Sequence, residues 1–174
     1  MPNALTNLLS QPLLIRIRRN HGLEHATIHM LSSKYPRTSI AGRADAKGFY
    51  ILGHLPTDAI AESAEEAAYR LRAGEGHLAI HPNCGTNFLT AAVLAGLACF
   101  ATLLGGRTDS VRDRLERLPF AILATVLALI IAQPIGSAAQ RHVTTSSEIG
   151  GLRIGEIQQV RRGRTTVHRV RTQG

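Results

Sequence analysis

His21, Glu24 and His25 are the residues of this chain best placed to do chemistry. They stand in the string His-Gly-Leu-Glu-His. On an α-helix, positions i, i+3 and i+4 share a face, so the two imidazoles can reach one Zn²⁺ while the carboxylate stands beside it. In that arrangement His21 and His25 are metal ligands. Glu24 is the general base, taking a proton from a water that the ion acidifies. The competing reading leaves all three as solvated polar positions on an amphipathic helix. A second cluster, His81-Pro-Asn-Cys84-Gly-Thr-Asn87, favours metal because it offers His and Cys at ligand spacing.

The ligand count decides what such a site can do. If His81 and Cys84 both bind, a His₃Cys shell is closed and structural. If one of them binds, a position opens for water and hydrolysis follows. H-x-x-E-H is also the spacing that inverted zincin peptidases place on a helix, so the open shell points to peptide hydrolysis. Cys84 beside a histidine has a further option as a nucleophile. His29 shares the face but lies about 12 Å along the axis from His21, which suits a supporting role. His77 reads as a strand residue, and His54, His142 and His168 carry no pattern.

Several elements must position these groups. Asn20 is a suitable N-cap for a helix from His21 to about Ser33, which Pro36 stops. His21, Glu24, His25, Ile28 and His29 fall within one face of roughly 140°, and Leu23, Ala26 and Met30 point the other way, to a core. Leu13 to Arg19 is amphipathic and suits a membrane surface. Thr38 to Arg43 and Gly48 to Leu52 are expected as strands. Thr57 caps a helix with apolar face Ile60, Ala64, Ala67 and Leu71, ended by Gly74. His77 to His81 alternates like a third strand. Pro82 and Gly85 predict a tight turn, with Thr86 or Asn87 capping the helix that follows. Leu152 to Val160 and Thr165 to Arg171 are expected to form a hairpin with the basic tip Arg161-Arg162-Gly163-Arg164.

Composition adds a membrane. Of 174 residues, 44% are hydrophobic but only 4% aromatic, and the apolar residues gather in Phe88 to Gly106 and Leu118 to Ser137. Each run is about 20 residues without a charge, enough to cross a hydrocarbon core, and neither shows the polar stripe of a soluble helix. Ala91, Ala95 and Cys99, and Ala92 and Gly96, recur every four positions, the small-xxx-small pattern of closely packed membrane helices. Pro119 fits a first helical turn. A buried hairpin in a soluble homo-oligomer is the alternative. The two cysteines, Cys84 and Cys99, imply no disulfide framework. The net charge of +8 suits anionic headgroups of the lipid bilayer. Nucleic acid is disfavoured, because no aromatics interleave the basic tail. Four arginines in Arg107 to Arg117 argue for a cytoplasmic loop, yet Arg16, Arg18, Arg19 and the tail are equally basic. Without an export signal, both termini are expected in the cytoplasm.

The expected class is α+β, with a small unit of helices and a short antiparallel sheet (1–86). A transmembrane helical hairpin (87–139) and a basic β-hairpin tail (140–174) joining the first sheet follow it. The stretches His-Gly-Leu-Glu-His-Ala-Thr-Ile (21–28) and His-Pro-Asn-Cys-Gly-Thr-Asn-Phe-Leu (81–89), followed by the apolar hairpin, resemble a family of uncharacterised bacterial membrane proteins with HGxEHxTI and HPxCGTxF motifs. Its larger branch is described as predicted metal-dependent enzymes. The resemblance implies an integral protein of the bacterial cytoplasmic membrane with metal candidates at His21, His25, His81 and Cys84, and Glu24 beside them. It names no substrate. Two functions follow from the residues: a Zn²⁺-dependent hydrolase (or one using another divalent transition metal), peptidase-like, or a non-catalytic membrane scaffold whose metal is structural or absent.

Overall fold

The computed structural model describes residues 4–104, 111–161 and 165–174. They form two compact units, Met1–His81 with Arg141–Gly174, and Pro82–Gln140. The first begins with helices α1 (Ala4–Leu9) and α2 (Pro12–Lys34). Helix α2 starts nine residues earlier than the expected His21. Pro12 sits in its first turn, where a missing N–H is harmless, and no breaker follows before Pro36. Leu13 to Arg19 is therefore part of the histidine helix, and Asn20 lies inside it rather than capping it.

Asn20 is fully buried and ties three elements together. Its Nδ2 donates to the Asp45 carbonyl at 2.7 Å, and its Oδ1 accepts from Thr172 Oγ1 at 2.8 Å. Asp45 ends strand β1 (Ala41–Asp45), which turns through Ala46 and Lys47 into β2 (Gly48–Leu52). Helix α3 (Thr57–Arg72) buries Ile60, Ala64, Ala67 and Leu71 as its period predicts. Pro56 occupies the N-cap, however, and Thr57 Oγ1 is instead paired with His168 Nε2 at 3.1 Å. Gly74, at φ +95°, takes the left-handed turn that ends this region.

The expected strand at 77–81 is a 3₁₀ helix, Gly76–Ala79. Leu78 and Ala79 are adjacent and both buried. A strand would send them to opposite faces, whereas one tight turn seats both.

The tail does join the sheet. Strands β3 (Arg153–Arg161) and β4 (Val167–Gln173) form an antiparallel hairpin, and β4 also pairs β2, placing Phe49 opposite Val170. The sheet order is β1-β2-β4-β3. The tip residues 162–164 lie outside the described residues. Phe49, Ile51 and Val170 from the sheet meet Leu23 and Leu31 of α2 and Ile60 of α3 in one core.

The second unit contains α4 (Gly85–Leu104), α5 (Val111–Glu116) and α6 (Leu118–Ala139), the last running on into a π-helical turn, Gln140–Thr144. Helices α4 and α6 pack together, and both are long and apolar enough to cross a membrane. Phe88, Leu97, Phe100, Phe120, Ile130 and Ile131 are exposed. A buried polar link joins the two ends of this pair. Gln140 donates to Asn87 Oδ1 at 2.7 Å, and a β-carbon on Gly136 would lie 2.5 Å from that same oxygen.

Asn20→Ala strands a buried carbonyl and a buried hydroxyl, each costing on the order of 1–3 kcal/mol. A fall in unfolding free energy of about 2 kcal/mol is expected in chemical denaturation. Asp45 adds a pH dependence. Burial pushes its carboxyl up, but hydrogen bonds from Arg169 (2.8 Å) and the Lys47 N–H (2.7 Å), with the charges of both residues, hold it below its ordinary value. A lowered folded-state pKa gives stability that is present above the ordinary carboxylate range, near 4, and is lost as pH falls through the lowered value. Asp45 is 45% exposed, so the effect is small. The melting temperature should drop in acid, and Asp45→Asn should flatten part of that drop.

Candidate metal centre

The histidine helix is buried nearly all round from Asn20 to Leu31, so the reading of its polar residues as solvated surface is wrong. Glu24 is 3% exposed and His25 2%. Burying such groups is costly unless they are partnered, and the two histidines are bonded to backbone carbonyls. His25 Nδ1 lies 2.9 Å from the Ala79 oxygen, and His21 Nδ1 lies 2.9 Å from the Thr144 oxygen. A carbonyl only accepts, so each Nδ1 donates and each ring is oriented with its Nε2 edge turned away from that carbonyl. Such a hydrogen bond behind the ring is what orients and tautomerises a metal-ligating histidine.

The two rings stand edge to face, with centroids 4.4 Å apart. The His81 ring is 5.8 Å from that of His25 and 4.9 Å from that of His29. Burial, followed by the nearby charge of His29, lowers the pKa of His81, which favours the neutral, ligating form. His29 bonds through its other ring nitrogen: its Nε2 donates to the Ile80 carbonyl at 2.9 Å. It supports His81 and the turn beneath it.

Glu24 Oε2 is 3.9 Å from His21 Nε2. Its carboxylate lies against Gly42 of β1, where a β-carbon would come 2.0 Å from Oε1 and 2.6 Å from Cδ. Gly42 therefore belongs to the site by what it lacks. Gly22, inside the H-x-x-E-H string, works the same way. A β-carbon there would meet the Ser146 carbonyl oxygen at 2.1 Å, and it is this close approach that lets Thr144 reach His21.

Cys84 is buried and stands just before α4, accepting from the Thr86 N–H at 3.4 Å. The expected capping residues are thus displaced: Asn87 turns its Nδ2 back to the Pro82 carbonyl at 2.8 Å. His21, His25 and Cys84 are a group that could hold a metal ion. Imidazole nitrogen and thiolate suit Zn²⁺ or a similar transition metal, not the oxygen-seeking Mg²⁺ or Ca²⁺. His54 pairs with Thr166, and His168 with Thr57.

The fold and this cluster define an α+β protein with two apolar helices and a candidate metal site. The chain belongs to the family of a domain of unknown function, DUF6391, whose model matches residues 16–157. It is 35% identical over 156 residues to an uncharacterized protein of Picosynechococcus sp., which covers 84% of this chain and 73% of that relative. No solved structure matches.

Gly42, Thr144 and Ala79 escape sequence reasoning because two act through main-chain oxygens and one through an absent side chain. Gly42→Ala should force the Glu24 carboxylate aside and lower stability by about 1–3 kcal/mol. In a double-mutant cycle the loss should shrink when Glu24 is already Ala. Additive losses would show that the two residues do not press on one another.

Proposed function

We propose that this protein is a membrane-anchored, zinc-dependent hydrolase of peptidase type. His21 and His25 hold the ion with Cys84 or His81 as third ligand, and Glu24 is the general base. One observation carries the reading: His21 and His25, each held through Nδ1 by a backbone carbonyl, form with Cys84 a group that could hold a metal ion. Cys84 follows His81 by three residues, so the chain tethers its thiol within about 10 Å of that backbone. When bound, zinc supplies Lewis acidity, which draws a hydrolytic water toward ionisation near neutral pH. Glu24 receives the proton at the carboxylate face turned toward His21, while Gly42 holds the other oxygen in place. His81 lines the cluster next to His25.

Anchoring comes from α4 and α6. The unit bearing the histidines is made of the chain on both sides of them, and β2 pairs with β4. Both flanks therefore stand on one side of any bilayer the helices cross, which we assign to the cytoplasm of a bacterial cell. Anionic headgroups are the natural partners of the basic flanks.

A non-catalytic scaffold with a structural metal is the second reading. The burial of Glu24 and His25 favours it, and ligation by both His81 and Cys84 would close the shell. Purified protein should contain about one equivalent of zinc, and X-ray absorption should resolve three protein ligands and one light-atom ligand. Glu24→Gln should retain the metal and lose peptide hydrolysis by about 10²–10⁴-fold. A full four-residue shell with Glu24→Gln silent would replace the hydrolase with the scaffold.

A further inference from the structure

A cleft of about 240 Å³ opens beside the metal cluster, lined by His77, Ala79, Ile80, Arg141, Thr145 and Ser147. It shares a wall with the histidines, since Ala79 and Ile80 are the residues whose carbonyls hold His25 and His29. Its polar lining offers donors in the Arg141 guanidinium, the His77 imidazole and the Ser147 hydroxyl, with no carboxylate among the lining residues. Arg141 has neither ion pair nor hydrogen bond among the described residues. The nearby carboxylate of Glu75 is already engaged by the Arg70 guanidinium at 2.9 and 2.6 Å. Gly76 keeps the space open, because a β-carbon there would come within 3.2 Å of Ser147 Oγ. An exposed arginine with no ion pair among the described residues, lining a concave surface together with a serine hydroxyl and an imidazole, is a recognition site for an oxyanion.

We infer that this cleft binds a phosphate group, with Arg141 as the principal contact and His77 and Ser147 as further donors. The site is independent of whether the neighbouring metal is catalytic. Arg141 follows directly on the long apolar helix and lies in its π-helical extension. The phosphate is therefore that of a lipid headgroup or a free phosphate in solution, and the two sources share one chemistry.

The full chain, purified in a sugar-headgroup detergent and stripped of metal with a chelator, separates them by isothermal titration. One arm uses inorganic phosphate and the other a short-chain phosphatidic acid below its micellar concentration. Saturable one-to-one binding is expected in at least one arm. It should weaken about tenfold or more in Arg141→Gln, the loss of a charge-assisted contact, and more steeply in Ser147→Asp, which places like charge in the cleft. Tighter binding of phosphatidic acid identifies the lipid source, and equal or tighter binding of inorganic phosphate identifies the free one. Both variants alter half-buried or exposed side chains, and an unchanged melting temperature confirms that they fold. Absence of saturable binding in both arms, or binding that Arg141→Gln leaves unchanged, overturns the proposal. Failure of the hydrolase would appear separately, as metal retained without turnover.

Discussion

The structure hangs on a single close approach: the backbone of Ser146 lies where any side chain at position 22 would stand. The Ser146 N–H donates to the Arg18 carbonyl at 2.9 Å, so this segment is stitched to α2 one turn before Gly22. The polar setting of His21 follows from that. With the segment so near, Thr144 offers its carbonyl to His21, and the chain is aimed toward β3 and β4. A glycine in a helix interior costs on the order of 1 kcal/mol relative to alanine. Here the cost is offset by a backbone-to-helix packing that no larger residue allows.

The buried polar groups of α2 form a graded series along its length. Asn20 is matched to main chain and hydroxyl, His21 and His25 to carbonyls, and Thr27 donates to its own helix at Leu23. Glu24 is the member whose surroundings are most demanding: an acid 3% exposed, hemmed by a strand glycine and a histidine. An apolar residue at that position would fill the same volume with no desolvation cost. The same reasoning covers His81, whose burial disfavours its charged form.

Much of this was readable from residue order alone. The short run Gly48 to Leu52 after a turn-rich stretch, the 3.6-residue period of Ile60, Ala64, Ala67 and Leu71, and the two uncharged runs each led to the element found. The apolar helices are legible because they answer to composition rather than to neighbours. Where the reading failed, tertiary contacts had overridden local signals. Asn20 resembles a cap, but here it serves as a buried link between α2, β1 and β4. His-Leu-Ala-Ile-His alternates like a strand, yet the core demands two adjacent apolar side chains and the turn coils. The string H-x-x-E-H was visible, but the carbonyls that orient its rings come from positions 79 and 144, and no periodicity announces a main-chain oxygen.

That distance along the chain has a consequence for assembly. Phe49 and Val170 are paired in the sheet although more than a hundred residues separate them, and the intervening chain contains both apolar helices. Closing so long a loop is entropically slow unless something brings its ends together. A helical pair does so, because α4 and α6 pack against each other and return the chain to its starting side. The β2–β4 pairing and the Thr144–His21 contact are both completed only once the chain beyond α6 has returned to the first unit.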